Sequence, residues 1–509
     1  MVKPSSKLVV AILVTILLSL SAFVRLYRIE STHTFHNDEG RDVLIALKMI
    51  ESRRPILLGP QTSTGNMYLG PLYYYLMVPS LLISGLDPVG PAVMVAVFGV
   101  LTTLLIYILA RSKIGDAGAF VAALVFALQP VIVNFTRNSW NPNVVPFFAL
   151  LTLYLGFSLG VRVSSRKRWL AFGVLAGILI QLHYVAALIV ILLWLTIFIE
   201  NRAKLLVIGR GTLIAAIGFF ISTFPFWLFE MRHNWVNTLA LFSYLGAQGS
   251  PSESSYFLKL WQNIKDFTDT LVATKANNPS VIPLYLRISF WLEVLVLALA
   301  AKTFQKPKQQ HALTLIFITI SSILIYSLLN QKLEIHYLAY IFPVYAYIFG
   351  YGVSSKQLWA KATSLVLTLV ILSYNIPILA ANLQVAPSHQ VEKAQTVAQY
   401  IELDAGGQNY NVVPGFNNSR DATYGYFLAL LENKPHNSPE NLVYMICEDT
   451  PCEESMVNSP LIFARGSVHP AVEEYSGHPF ILEYTAPRRM VSLEHVAYGT
   501  WVAKIYLEP

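Results

Sequence analysis

The residues best equipped for chemistry lie in one short run, His36-Asn37-Asp38-Glu39-Gly40-Arg41-Asp42. Adjacent carboxylates raise each other's proton affinity when partly desolvated, so Asp38 and Glu39 offer a general base. A plainer role is open to the same residues: Asn37 or Asp38 can cap a helix starting near Gly40, with acids favoured in its first turn. Three further polar clusters interrupt the apolar text. They are Thr136 to Asn143 with Arg137, Glu230-Met231-Arg232-His233-Asn234, and Glu334-Ile335-His336-Tyr337. Arg53, Arg54, Arg137 and Arg232 are cations that could meet a phosphate through a bidentate fork, or simply anchor the chain beside lipid headgroups. His233 and His336 could join Glu230 or Glu334 around a metal, but no HxxxH or HExxH spacing supports it and no metal is expected.

Such residues need a frame, and composition says what kind. Of 509 residues, 55% are hydrophobic and 13% charged, which excludes an ordinary soluble monomer. Eleven apolar stretches of spanning length fit, near 8–24, 91–110, 117–134, 144–161, 169–183, 185–199, 211–229, 286–301, 312–329, 338–352 and 362–381. With the N-terminus inside, segments 1–7, 111–116, 162–168, 201–210, 302–310 and 353–361 hold 16 Lys and Arg in 48 residues. The opposite segments, 25–90, 135–143, 230–285 and 330–337, hold 12 in 139 residues. That contrast is the positive-inside pattern, and it puts all four polar clusters on the outer face. Within the spans, Glu293 and His183 are among the few ionisable residues, and both suit hydrogen bonding between helices.

Loop 25–90 is more than a connection. Val43, Leu44, Leu47 and Ile50 share one face of a helix over 40–52 with Arg41 and Lys48 opposite, the pattern of a helix lying at the membrane interface. Residues 71–84, with Tyr73, Tyr74 and Tyr75, read as a second surface or re-entrant helix, and 255–275 as a third.

Residues 1–382 carry 29 Lys and Arg against 14 Asp and Glu, whereas 383–509 carry 7 against 15. The basic balance belongs to the membrane part and is no sign of nucleic-acid binding. The acidic tail is expected to be a small α/β domain outside the membrane, with helices over 391–403 and 424–431 and strand-like runs at 411–414 and 461–464. Its Cys447 and Cys452, five positions apart, are compatible with a disulfide or with two thiols. The fold class is therefore an all-α polytopic membrane protein of about eleven helices, 1–382, with a C-terminal extracytoplasmic α/β domain, 383–509.

The pattern resembles the GT-C membrane glycosyltransferases, specifically the protein-mannosyltransferase and aminoarabinose-transferase group, glycosyltransferase family 39. The features that carry the resemblance are a first span ending in Arg25, Phe35-His36-Asn37-Asp38-Glu39 with Arg41, and Gly70-Pro71-Leu72-Tyr73-Tyr74-Tyr75. Phe229 to His233 and His336-Tyr337 with Pro343 look like later landmarks, so the likeness covers roughly residues 8–350. It implies transfer of a sugar from a polyprenyl-phosphate carrier to a protein, lipid or envelope-glycan acceptor at the outer leaflet of a prokaryotic plasma membrane. Asp38 would be the base of an inverting displacement, Glu39 would position the acceptor or the base, and cations such as Arg232 would stabilise the departing phosphate. Arg41, Arg53, Arg54, Tyr74, Arg137, Glu230, His233, His336 and Tyr337 complete the expected binding set. Two positions depart from relatives: Gly70 stands where some carry Lys, and Asn141 where others often have Asp. Two rival functions share the composition. A transporter or flippase of lipid-linked saccharides would need ionisable residues at mid-membrane, and an outer-leaflet polymerase or ligase would not need the early Asp-Glu pair.

Overall fold

The computed structural model describes residues 6–35, 37–62, 67–247, 256–272, 282–328, 333–415, 421–436, 438–457 and 487–507. Over their described residues, the apolar stretches expected to span are largely helical, with breaks at Gln129 and Thr223. Among the described residues, seven helices are long and apolar enough to cross a membrane, beginning with Lys7–Leu26 and ending with Leu358–Asn382. The 40-residue helix Val89–Leu128 holds most of two expected spans, and its break is Gly115 at φ 74°, a left-handed backbone that glycine adopts freely. Helices Arg166–Leu182, Ala187–Glu200 and Phe342–Val353 are apolar but have 17, 14 and 12 residues, shorter than a perpendicular crossing of about 20. Eleven stretches are therefore legible as apolar, while seven helices among the described residues meet the length of a span.

After the last of these, the chain builds a four-stranded sheet of order β1-β2-β4-β3. β1 (Tyr410–Pro414) runs parallel to β2 (Leu442–Glu448), with helix Asp421–Leu430 between them in sequence. β3 (Arg488–Ala497) and β4 (Thr500–Leu507) form an antiparallel hairpin turned by Tyr498 and Gly499, both at positive φ. β2 is central and buried for six consecutive residues, which is why it reads as a continuous apolar run. Helix Gln390–Ala405 is joined to this strand by buried Lys393, whose ammonium lies 3.1 Å from Glu448. The expected tail helices and the strand at 411–414 are present, whereas the expected strand at 461–464 lies outside the described residues. Cys447 and Cys452 are joined in a disulfide that closes the end of β2.

The helix expected at the interface is longer and far more enclosed than its amphipathic pattern suggests. It runs Asn37–Ser52, with Val43, Leu44, Ile45, Ala46 and Leu47 all at most 2% exposed. One side packs on Leu72–Ile83 and another on Asp421–Leu430, which meets the site helix at Gly40, so the tail domain covers part of its buried face. A sequence pattern cannot show this cover, because the covering helix is some 380 residues distant in the chain. Leu47→Glu would put a carboxylate into this packing at a cost of a few kcal/mol. The variant is expected to insert, to unfold at a clearly lower temperature in detergent, and to lose transfer; an unchanged melting temperature would contradict the burial.

Candidate functional site

Phe35 turns the chain into the site helix at φ 41° and is fully buried, its ring held edge-on by Tyr426 and Phe427 of the tail domain. His36, which belongs to the sequence cluster, lies outside the described residues. The helix starts at Asn37, earlier than its sequence predicts, so Asp38 and Glu39 sit inside its first turn, where the helix dipole favours negative charge.

The two carboxylates have opposite surroundings. Glu39 is 4% exposed and is gripped on both oxygens, by the Ser139 amide at 3.0 Å and by the Thr34 hydroxyl at 3.0 Å. Buried His33 lies 3.7 Å from the same carboxylate. Glu39 thus ties the second polar cluster to the site helix, and Ser139 is held in turn by the Tyr73 hydroxyl at 2.9 Å. The Asp38 side chain is 49% exposed, and one of its oxygens meets Arg41 Nη1 at 2.8 Å. A carboxylate open to solvent beside a fixed neighbour can accept a proton from an incoming group; one wrapped in backbone and hydroxyl donors cannot do so without breaking them.

Arg41 is the hub. Its Nε and Nη2 donate to Asp42 at 2.9 and 2.8 Å, leaving Nη1 for Asp38. Tyr74 donates to the same Asp42 oxygen at 3.1 Å. Burial pushes the Asp42 carboxyl up to about 6, although Arg41 pulls it down. On the facing segment, His336 packs edge-on to Trp140 at 4.8 Å and to His183 at 5.2 Å between ring centres. Burial pushes its imidazole down to about 4 against the opposing pull of Glu334 and Asp38, so it is neutral at physiological pH and lies within electrostatic reach of Asp38. Tyr337 follows it, its ring stacked at 9° on Tyr326.

The structure therefore gathers Asp38, Glu39, Arg41, Tyr74 and His336 around one end of the site helix. Other expected residues are occupied with structural work. Arg137 donates to the carbonyls of Val24 and Tyr27 and to Thr32, closing the end of the first helix. Glu230 is fully buried and accepts the amides of Asn237 and Thr238, which caps helix Val236–Ala247. His233 stacks on Phe229 at 4.0 Å and bonds its carbonyl. Arg53, Arg54 and Arg232 are exposed. Arg25 is fully buried, donating to Ser21, Thr136 and the carbonyls of Phe126 and Ala127, so it knits the first span to its neighbour.

The departures also have a structural basis. A Cβ at Gly70 would stand 2.3 Å from the Gln181 side chain, and Asn141 is buried with its amide on the Leu182 carbonyl at 2.6 Å. Sequence reasoning did not single out Asp42, Thr34, His33 or Ser139. Asp42 carried a usable signal, since Asp38 and Arg41 are three apart, one helical turn, and a second acid follows directly. Ser139 carried none, because only the chain path brings its amide to Glu39. Among the described residues, no group of three or more His, Cys, Asp and Glu could hold a metal ion.

Comparison with known proteins agrees with this architecture. Residues 69–229 match the dolichyl-phosphate-mannose-protein mannosyltransferase family. The structure of ArnT from Cupriavidus metallidurans bound to undecaprenyl phosphate superposes with a TM-score of 0.61 at 13% identity, covering 98% of both chains. The same protein in the apo state gives 0.58 at 13% identity, again over 98% of both. No curated protein matches by sequence. The chain thus carries a segment, 69–229, that matches the mannosyltransferase family model, and it has the GT-C fold of the Cupriavidus protein over nearly its whole length.

Proposed function

We propose that the protein transfers a sugar from a polyprenyl-phosphate donor to an acceptor on the outer face of a prokaryotic plasma membrane, inverting the anomeric centre. The observation that carries this reading is the division of labour in the first turn of the site helix: Asp38 is half open and Glu39 is locked. Asp38 takes the proton of the acceptor nucleophile as that atom bonds to the anomeric carbon. The bond from that carbon to the phosphate oxygen breaks, and polyprenyl phosphate leaves with the electron pair. Glu39 holds the second outer loop in register with the base, and the exposed cations Arg53, Arg54 and Arg232 are available to the phosphate. The undecaprenyl phosphate bound in the structurally similar protein supports a lipid phosphate as carrier. Mass spectrometry of envelope glycans and lipid-linked sugars tests the reading. Without the gene, one glycan should lose a single sugar while its lipid-linked form accumulates; unchanged profiles would contradict it.

In this reading the chain divides at 382/383, with the N-terminus cytoplasmic and the tail domain outside. The positive-inside asymmetry supports that orientation, as does the disulfide, a bond that persists in oxidising compartments. A reporter active only in the cytoplasm is expected to be silent when fused after Pro509. Strong activity would reverse the orientation and remove the shared outer site.

A further inference from the structure

The reach of Asp38 as a base depends on the cation beside it. Arg41 is 12% exposed and Asp42 is fully buried, whereas Asp38 is 49% exposed. The guanidinium gives two of its nitrogens to one Asp42 oxygen, at 2.9 and 2.8 Å, and only Nη1 to Asp38, at 2.8 Å. Tyr74, reaching in from helix Leu72–Ile83, fixes that same Asp42 oxygen at 3.1 Å. A charge-balanced guanidinium lowers the proton affinity of a neighbouring carboxylate less than a bare one does. A fork pinned along one edge also cannot swing to grip that neighbour with two nitrogens.

We propose that Asp42 is a positioning residue for the base: it holds the Nε and Nη2 edge of Arg41, so that Asp38 meets a single donor on a guanidinium whose charge is already balanced. The proposal rests on Asp38 being the base. Asp38 would then be oriented by Arg41 yet remain basic enough to accept a proton. Without Asp42, Arg41 would be an uncompensated cation in partly buried surroundings, and Asp38 would become its only carboxylate partner. The charged and titratable groups around Asp38 include Arg41 and Asp42 on its own helix, Glu39 beside it, and His336 with Glu334 on the facing segment. Tyr74 reaches the network through Asp42. His336 is neutral above about pH 4 and Asp42 is ionised above about pH 6, so the Arg41–Asp42 pair is charge-balanced at neutral pH.

Asp42→Asn keeps the shape and the oxygen that receives Arg41 and Tyr74, removes the charge, and puts an amide nitrogen in place of the buried Oδ2. Purified parent and variant in nanodiscs, labelled with 13Cγ-aspartate, give the Asp38 titration directly, its resonance being the one that Asp38→Asn deletes. The expected result is that transfer by the parent falls as pH drops through about 6, where Asp42 takes up its proton, and that the Asp38 resonance shows the same step. In Asp42→Asn both the step and that limb should be absent, and transfer from the native lipid-linked sugar pool should already be several-fold lower at about pH 7.5, with undecaprenyl phosphate affinity unchanged. A purely structural Asp42 would lower folded yield without changing transfer per folded molecule. Parental transfer at about pH 7.5 in the folded variant, or a limb near pH 6 that persists there, overturns the proposal. Failure of the functional reading looks different: Asp38→Asn would then retain transfer, whatever the resonance does.

Discussion

Asp38→Asn is expected to fold, to bind undecaprenyl phosphate and to lose transfer by about 100-fold or more, the usual scale of general acid-base catalysis. Asn preserves the size of the side chain, and because Asp38 lies within the first turn of the helix its capping ability is not at stake. What Asn forfeits structurally is a favourable charge at a helix N-terminus, about 0.3–1 kcal/mol, and one half-exposed ion pair with Arg41. Neither loss is large enough to unfold a helix enclosed by buried apolar residues from Val43 to Leu47. The chemical loss is of another order, since a carboxamide cannot take the nucleophile's proton. Asp38→Ser is the companion: it removes the carboxylate differently and should be equally inactive. If both variants turn over at near-parental rates in purified membranes, Asp38 is not the base. Glu39 would be a poor substitute, because its oxygens already hold the Ser139 amide and the Thr34 hydroxyl.

The membrane architecture was legible because one interaction dominates it. A spanning segment must be apolar along its whole length, so Leu8 to Val24 or Leu313 to Leu329 announce themselves without tertiary information. The Asp38-Glu39-Arg41 cluster was legible for the opposite reason, as charge in an apolar chain. What stayed hidden depends on contacts between distant segments. The amphipathic pattern around Leu47 says that one face is buried and says nothing of what covers it, which proves to include a helix of the tail domain. Arg137 and Glu230 looked like site residues because exposed-looking charge in an outer loop suggests ligands. Each instead satisfies backbone groups at a helix end, a role visible only when the carbonyls of Val24 and Tyr27, or the amides of Asn237 and Thr238, are in place. β3 and β4 escaped notice because their apolar residues alternate only imperfectly, with register shifts in the hairpin between Met490 and Ser492 and between His495 and Ala497.

The tail domain should therefore prove inseparable from the helix that carries Asp38, and Gly40 is where this can be tested. A Cβ at Gly40 would stand 2.6 Å from the Thr423 amide nitrogen, 2.7 Å from the Ala422 carbonyl carbon and 2.8 Å from Thr423 Cα. These are backbone atoms, which cannot rotate away as a side-chain tip can, so helix Asp421–Leu430 must retreat as a body. Retreat would break the bond from the Thr423 hydroxyl to the Phe35 carbonyl at 2.9 Å and loosen the two rings that hold Phe35 at the entry to the site helix. It would also strain the second tether, from the Tyr426 hydroxyl to the Leu86 carbonyl at 2.6 Å. Overpacking of this kind costs typically about 1–3 kcal/mol, so Gly40→Ala should weaken the docking and Gly40→Val should undo it. The expected readout is graded: faster amide exchange in both 37–52 and 421–430, and transfer falling at least tenfold for Val. The Asp38 carboxylate itself is untouched in both variants, so the loss would come from its placement. Full activity in Gly40→Val, with exchange in 421–430 unchanged, would show that the two helices do not meet as closely as this packing requires.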